Sequence, residues 1–137
     1  MIGKTLAAGA TLLLFLCAVA QLAGQDTKPQ QVSFKKDVFP IIDKRCLSCH
    51  AEDEDNPSEL SMDTYAMLMA GGKHGKPVVP GKSSESMLVQ KLSEKPPFGD
   101  RMPLNKKRRI EEGKAKWLSD EEVKTVADWI DQGAKDN

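Results

Sequence analysis

The sequence lacks an excess of charge of either sign, because 20 lysine and arginine residues are balanced by 20 aspartate and glutamate residues. No global field therefore favours nucleic acid or an anionic membrane as a partner. Internal repeats and low-complexity tracts are also absent, and apolar and polar residues do not alternate over enough positions for a convincing strand. Apolar residues recur at helical spacing instead, which predicts a small all-α domain with long loops.

Long apolar runs are scarce too, and the prominent one follows Lys4 and extends from Leu6 to Ala20. A positive start, an apolar stretch and small residues before polar Gln21 are typical of a secretory signal peptide, predicted over residues 1–20. The run is short for a bilayer span, which needs about 20 apolar residues. An uncleaved segment reaching Gly24 would nevertheless act as a membrane anchor.

The boundaries of the folded part follow from composition. Residues 21–31 are polar around Pro29 and predict a flexible leader. Residues 32–135 are then the predicted domain. Lipid attachment at Cys17 is disfavoured, because Leu16 precedes it where a lipoprotein signal needs a small residue.

Cysteine is rare, and removal of the signal leaves only Cys46 and Cys49 in the mature, exported protein. A disulfide between them would close a loop of very few residues, which constrains the unfolded chain little. Stability is therefore a poor explanation for this pair. The two thiols and His50 form the sequence Cys-Leu-Ser-Cys-His, the pattern by which c-type haem is attached.

Two other uses of this motif compete with haem. A redox Cys-x-x-Cys is expected in a βαβ setting, which the helical pattern does not provide. Zinc bound by Cys46, Cys49, His50 and His74 is disfavoured, because adjacent Cys49 and His50 converge poorly on one tetrahedral ion. Haem explains the motif best, since two thioethers and a histidine ligand fix a large apolar macrocycle in a domain of about 100 residues with a limited core.

The sixth position of an iron bound by His50 needs a second candidate ligand. Met102 is favoured, because it lies in a loop beside Pro103, where no helical packing explains an apolar side chain. A thioether ligand raises the reduction potential and fills the position that oxygen or a substrate would need. The alternatives are an open site, His74 or one of the other methionines, which more often fill gaps in a core: Met62, Met67, Met69 and Met87.

Helix boundaries are predicted from caps and breakers. Ser33 is predicted to cap a first helix that bends near Phe39, because Pro40 lacks a backbone donor. Asp63 is predicted to cap a helix over 64–70. Further helices are predicted after Ser83 or Ser84 and after a capping box of Ser119 and Glu122, with "KPPFGDRMP" as an extended loop between them.

The sequence resembles the planctomycete-type cytochrome c domain, within the class I cytochromes c, from about Val32 to Ala134. Several motifs match in order, and together they are far more specific than Cys-x-x-Cys-His alone: "FKKDVFPIIDKRCLSCH", "LSMDTYAMLMAGGKHGKPVVPGKSSESMLVQKL", "RMP" and "LSDEEVKTVADWIDQGA". The resemblance implies one haem held by thioethers at Cys46 and Cys49, with His50 and Met102 as axial ligands. It also implies, by analogy, that the Pro80 carbonyl accepts the free ring proton of His50.

Other implications concern packing and charge. The first helix is expected to cross the last, with Phe34 or Phe39 against Trp129. Residues 105–116 are longer and more basic than the family pattern and are interpreted as a solvated insertion. Alternatively, Arg101 or a basic neighbour pairs with the haem propionates, or the basic patch docks an acidic redox partner.

The expected function is that of a periplasmic or exported carrier of single electrons between partner proteins that the sequence does not name. We do not expect it to be an enzyme by itself. A rival is a haem sensor or peroxidase-like protein with a displaceable distal ligand, and another is a zinc-bound interaction module. Association with a membrane is expected only if the N-terminal segment stays uncleaved.

Overall fold

The computed structural model describes residues 30–137, of which residues 31–137 form one compact unit. Within this range the chain is all-α as predicted, without strands, and Gly72 and Gly75 form an isolated bridge. The predicted signal peptide, its anchor alternative and most of the leader lie outside the described residues. In chain order, the elements are a π-helical segment Phe34–Val38, α1 Phe39–Arg45, α2 Leu47–His50, α3 Tyr65–Ala70, a 3-10 turn Ser83–Glu85, α4 Met87–Gln90, α5 Lys107–Glu111 and α6 Asp120–Asp131.

The first helical segment begins and bends where the sequence predicts. The Ser33 hydroxyl accepts a hydrogen bond from the Lys36 amide at 3.2 Å and so caps the segment. The π-helical turns then give way to α1 at Phe39, and Pro40 lies in the first turn of α1, where its missing N–H is tolerated. Helix α1 leads directly to the Cys46 backbone.

Helix α6 is the longest and has the predicted capping box. The Ser119 hydroxyl accepts from the Glu122 amide at 3.1 Å, and the Glu122 carboxylate accepts from the Ser119 amide at 2.8 Å. The same carboxylate accepts hydrogen bonds from Arg45 Nε at 3.0 Å and from Arg45 Nη2 at 2.9 Å. The pair therefore ties the end of α1 to the start of α6.

An aromatic cluster joins the π-helical segment to α6. Phe34 and Trp129 are 3% and 1% exposed, and their ring centres are 5.3 Å apart. Tyr65 meets the Phe34 ring edge-on at 5.3 Å, a favourable aromatic geometry. The predicted contact between the first and last helices is thus confirmed, with Phe34 as the partner of Trp129.

Two local predictions need correction. Thr64, not Asp63, caps α3, because the Thr64 hydroxyl accepts from the Met67 amide at 3.2 Å while Asp63 accepts from the Glu52 amide at 2.8 Å. Residues 105–116 are exposed or half-buried, as a solvated insertion should be, but they contain a helix, α5, that was not predicted. Within residues 30–137 no helix has both the length and the apolar character to cross a membrane.

The Arg45–Glu122 pair predicts a pH-dependent stability. Burial raises the pKa of Glu122, but hydrogen bonds from Ser119 and Arg45 outweigh it and hold that pKa below its ordinary value. A carboxylate with a lowered pKa stabilises the fold above its unfolded pKa and loses this effect as the pH falls through the folded pKa. We therefore expect Glu122→Gln, which keeps the capping-box acceptor, to cost about 1–2 kcal/mol at pH 7 and less below pH of about 4.

Urea unfolding at both pH values checks this expectation. Glu121→Gln is the matched control, because it removes the same charge from the first turn of α6 at an exposed position. Its cost is expected to be a few tenths of a kcal/mol. Equal losses in the two variants would show that the helix dipole, and not Arg45, accounts for the effect.

Candidate functional site

The Cys46-to-His50 segment forms a helical turn that presents both thiols. The amides of Cys49 and His50 each donate to the Cys46 carbonyl at 3.0 Å. Both cysteines are free thiols, with Cys46 half-buried and Cys49 exposed. Burial raises the pKa of the Cys46 thiol to about 11, so this sulfur is protonated at neutral pH.

The His50 ring is fixed by one hydrogen bond to the backbone. Its Nδ1 lies 3.1 Å from the Leu60 carbonyl oxygen. A carbonyl oxygen only accepts, so this contact is a hydrogen bond in the tautomer with the proton on Nδ1; the Ser58 hydroxyl lies 3.4 Å from the same nitrogen. This is the tautomer that a metal ligand needs, and such a second partner orients the ring.

The expected partner of this ring, the Pro80 carbonyl, is replaced by that of Leu60. The loop that contains Pro80 is fastened to the end of α6, where the Gly81 amide donates to the Ile130 carbonyl at 2.7 Å. The buried Ser86 hydroxyl holds the same loop by accepting from the Val79 amide at 2.9 Å. Leu60 reaches His50 because the loop after α2 folds straight back onto it.

The loop that supplies the Leu60 carbonyl is supported from both sides. The Met62 amide donates to the His50 carbonyl at 2.8 Å, which pins the returning chain beside the histidine. On the other side, a Cβ at Gly72 would lie 2.6 Å from the Leu60 amide nitrogen and equally close to the Ser58 carbonyl oxygen. Only glycine permits this approach, so the double glycine after α3 helps to position the His50 partner.

Met102 lies in a loop whose backbone is anchored to the end of α4. The Met102 amide donates to the Lys91 carbonyl at 2.8 Å, and Arg101 Nε donates to the Leu92 carbonyl at 2.8 Å. The Arg101 guanidinium also stacks 4.5 Å from the centre of the Trp117 ring. The Met102–Pro103 peptide is cis. Met102 itself is half-buried, and its assignment as a ligand stays a prediction.

The other candidate ligands have different surroundings. The His74 ring lies against Phe98, with ring centres 4.8 Å apart. Met62 is 4% exposed and belongs to the core, as the interpretation of the methionines as core residues predicts. Among residues 30–137, no group of three or more His, Cys, Asp or Glu side chains is gathered as ligands of one metal ion.

A cleft of about 680 Å³ lies between segments that flank two of the predicted haem-binding residues. Arg45 precedes Cys46, Pro103 follows Met102, and both line the cleft. Sequence reasoning missed this cleft, because its walls come from separate parts of the chain. Most of the residues that line it are basic. The full lining consists of Lys44, Arg45, Pro103, Leu104, Asn105, Lys106, Arg108, Arg109, Glu112, Lys114 and Lys116.

Comparison with known families shows which class of domain the region from Cys46 to Pro103 is similar to. Residues 46–103 match the family described as Planctomycete cytochrome C. Residues 46–103 therefore carry the sequence pattern of a planctomycete cytochrome c domain. The matched segment begins at the first motif cysteine and ends directly after Met102, so it spans the predicted ligands.

A curated relative of this cytochrome c domain is a subunit of a larger enzyme. The chain is 31% identical to hydrazine synthase subunit alpha of Kuenenia stuttgartiensis, over 79% of this chain and 16% of the relative. The solved structure of Kuenenia stuttgartiensis hydrazine synthase matches with 26% identity and a TM-score of 0.47, over 75% of this chain and 16% of that one. The chain thus spans a small part of both.

The match of residues 46–103 to a cytochrome c family implies covalently bound haem c. The residues of this cytochrome c domain fit that group on their chemistry. Cys46 and Cys49 are unpaired thiols on one turn, as thioether formation requires. The His50 Nδ1 lies within hydrogen-bond distance of the Leu60 carbonyl, which leaves Nε2 as the nitrogen available to a metal. The donor set therefore suits a covalently attached iron porphyrin.

Proposed function

We propose that this protein is an exported, periplasmic monohaem cytochrome c that passes single electrons between redox partner proteins. Cys46 and Cys49 would hold the haem by thioethers, and His50 and Met102 would be its axial ligands. The bound haem would supply the one-electron chemistry. The chain contributes ligands, an apolar core and a surface for partners, and we propose no catalytic role for it alone.

The hydrogen bond from His50 Nδ1 to the Leu60 carbonyl is the observation that supports this proposal most directly. A solvated histidine would need no such fixed partner, whereas an axial ligand needs its free nitrogen held in one direction. The ring is constrained on the same turn that bears both thiols. Its placement is thus explained by iron ligation better than by packing.

The Met102 loop supports a filled sixth position. The Met102 amide is hydrogen-bonded to the Lys91 carbonyl and the Arg101 side chain to the Leu92 carbonyl, so the loop is fastened at Met102 and at its neighbour. A loop fixed in this way presents its side chain with little freedom, which suits a ligand that stays bound in both oxidation states. Tight thioether ligation favours transfer of electrons over binding of oxygen or peroxide.

The first functional prediction concerns Met102→Ala. We expect covalent haem to remain in the exported variant, because both thiols and His50 are intact. The weak far-red absorption band of methionine-ligated ferric haem should disappear, and the reduction potential should fall. Visible spectra of the oxidised protein and a redox titration measure the two effects.

Met67→Ala is the matched control, since Met67 is another half-buried methionine, on α3. It should keep the far-red band. A far-red band that survives in Met102→Ala contradicts the ligand assignment. A high-spin wild-type protein that binds carbon monoxide readily would instead support a sensor or peroxidase-like function.

The relation to hydrazine synthase subunit alpha does not extend the proposal to that enzyme's activity. That activity belongs to a protein of which this chain spans 16%. We propose that the shared part contributes haem attachment and electron transfer. To identify the electron donor and acceptor, candidate proteins would be tested for the ability to reduce or to oxidise the purified cytochrome.

A further inference from the structure

The cleft beside α5 concentrates positive charge in a chain whose total charges balance. Seven of its lining residues are basic and one, Glu112, is acidic. They come from two stretches of the chain: the end of α1, and the continuous stretch that runs from Pro103 through α5 to Lys116. A cleft of about 680 Å³ is within the size range of small-molecule sites, roughly 300–1,000 Å³.

The walls of the cleft are held in place by hydrogen bonds. The Asn105 side chain bridges two segments, donating to the Pro103 carbonyl at 2.9 Å and accepting from the Lys116 amide at 2.8 Å. Arg109 Nε donates to the Lys114 carbonyl at 3.3 Å. Arg45 is fixed by its two-point contact with Glu122. The basic side chains therefore project from an ordered backbone and not from a freely moving insertion.

Several basic side chains in the cleft are not paired with a carboxylate. Glu112 contacts Arg108 at 3.6 Å and Lys114 at 3.0 Å. Among the described residues, by contrast, Lys44, Lys106 and Lys116 form no ion pair. Like charges that converge on one concave space repel each other unless an anion lies between them.

We propose that this cleft binds a soluble, multiply charged anion of the phosphate class. Arginine forks match phosphate oxygens at two points, and the lysines add point charges around them. Concavity favours a compact anion over the broad acidic surface of a partner protein. None of the lining residues is a proposed haem attachment site or axial ligand, so this inference can fail separately from the proposed electron carrier.

Titration calorimetry with inorganic tripolyphosphate on the exported, mature protein tests the proposal at fixed ionic strength. We expect saturable binding with one anion per chain. Lys106→Gln with Lys116→Gln should weaken it about tenfold or more, since both exposed lysines line the cleft. Lys76→Gln with Lys95→Gln removes the same charge at two exposed positions outside the cleft and should change the affinity less than about twofold.

Three results would overturn the proposal. The first is an absence of saturable binding, and the second is an equal loss of affinity in the two double variants. The third is displacement of tripolyphosphate by an equally charged poly-glutamate peptide that binds more tightly, which would indicate an acidic protein partner. A haem spectrum without anion binding rejects only this inference. Anion binding by a colourless protein rejects only the proposed electron carrier.

Discussion

Replacing both Cys46 and Cys49 with serine should yield an exported protein that has no covalently bound haem. Each hydroxyl is far less nucleophilic than a thiol, so neither position can form a bond to the porphyrin. His50 would remain in place, because its hydrogen bond to Leu60 comes from the backbone of the following loop. Axial ligands without thioethers would leave any haem free to dissociate.

Intact mass and visible spectrum of protein from a host with haem-attachment machinery measure this loss. The variant should have the mass of its polypeptide alone, whereas the wild type should be heavier by one haem. Ser48→Ala is the matched control, since Ser48 lies between the two cysteines and is exposed. It should keep its haem. Haem that stays with the double-serine variant after acid and organic extraction would disprove thioether attachment.

Trp129→Ala should cause the largest loss of stability of any single substitution considered, about 3–5 kcal/mol. Trp129 is 1% exposed and meets both Phe34 and Tyr65. Its indole nitrogen also donates to the Lys135 carbonyl at 2.9 Å, which holds the C-terminal segment. Removal leaves a cavity at the contact between the π-helical segment and α6. Such a loss is a large fraction of the roughly 5–15 kcal/mol that stabilises a typical domain.

Urea unfolding followed by circular dichroism measures the effect, with Phe98→Ala as the control. Phe98 is 41% exposed in a loop, so its truncation should cost less than about 1 kcal/mol. If Trp129→Ala does not fold, Trp129→Phe remains informative, because it keeps an aromatic ring in the core while it removes the indole donor and part of the ring volume. Its expected cost is about 1–2 kcal/mol. Similar losses at positions 98 and 129 would contradict the assignment of the core.

Local signals account for most of what the sequence predicted correctly. The capping box at Ser119, the cap at Ser33 and the end of α3 at Gly71 each depend on residues within one or two turns. The Cys-x-x-Cys-His turn is equally local. The aromatic contact of Phe34 with Trp129 is distant in sequence, and the resemblance to a family implied it.

Features that depend on a loop folding back onto an earlier helix were harder to predict. The Leu60 carbonyl reaches His50 only because the Met62 amide pins the loop back onto α2. Helix α5 has no buried face, and Ile110 in it is 49% exposed, so hydrophobic periodicity gave no sign of it. The available sign was charge, because Lys107 pairs with Glu111 and Arg108 with Glu112 at helical spacing.

The two ends of residues 31–137 meet. The Val32 amide donates to the Gln132 side chain at 2.8 Å, the Ser33 hydroxyl to the Asn137 carbonyl oxygen at 2.6 Å, and the Phe34 amide to the Asn137 side chain at 2.9 Å. A domain whose two ends are neighbours can be inserted into a loop of a longer polypeptide without separating those ends. Such a geometry is compatible with an independent domain and equally with a domain inserted into a much larger protein.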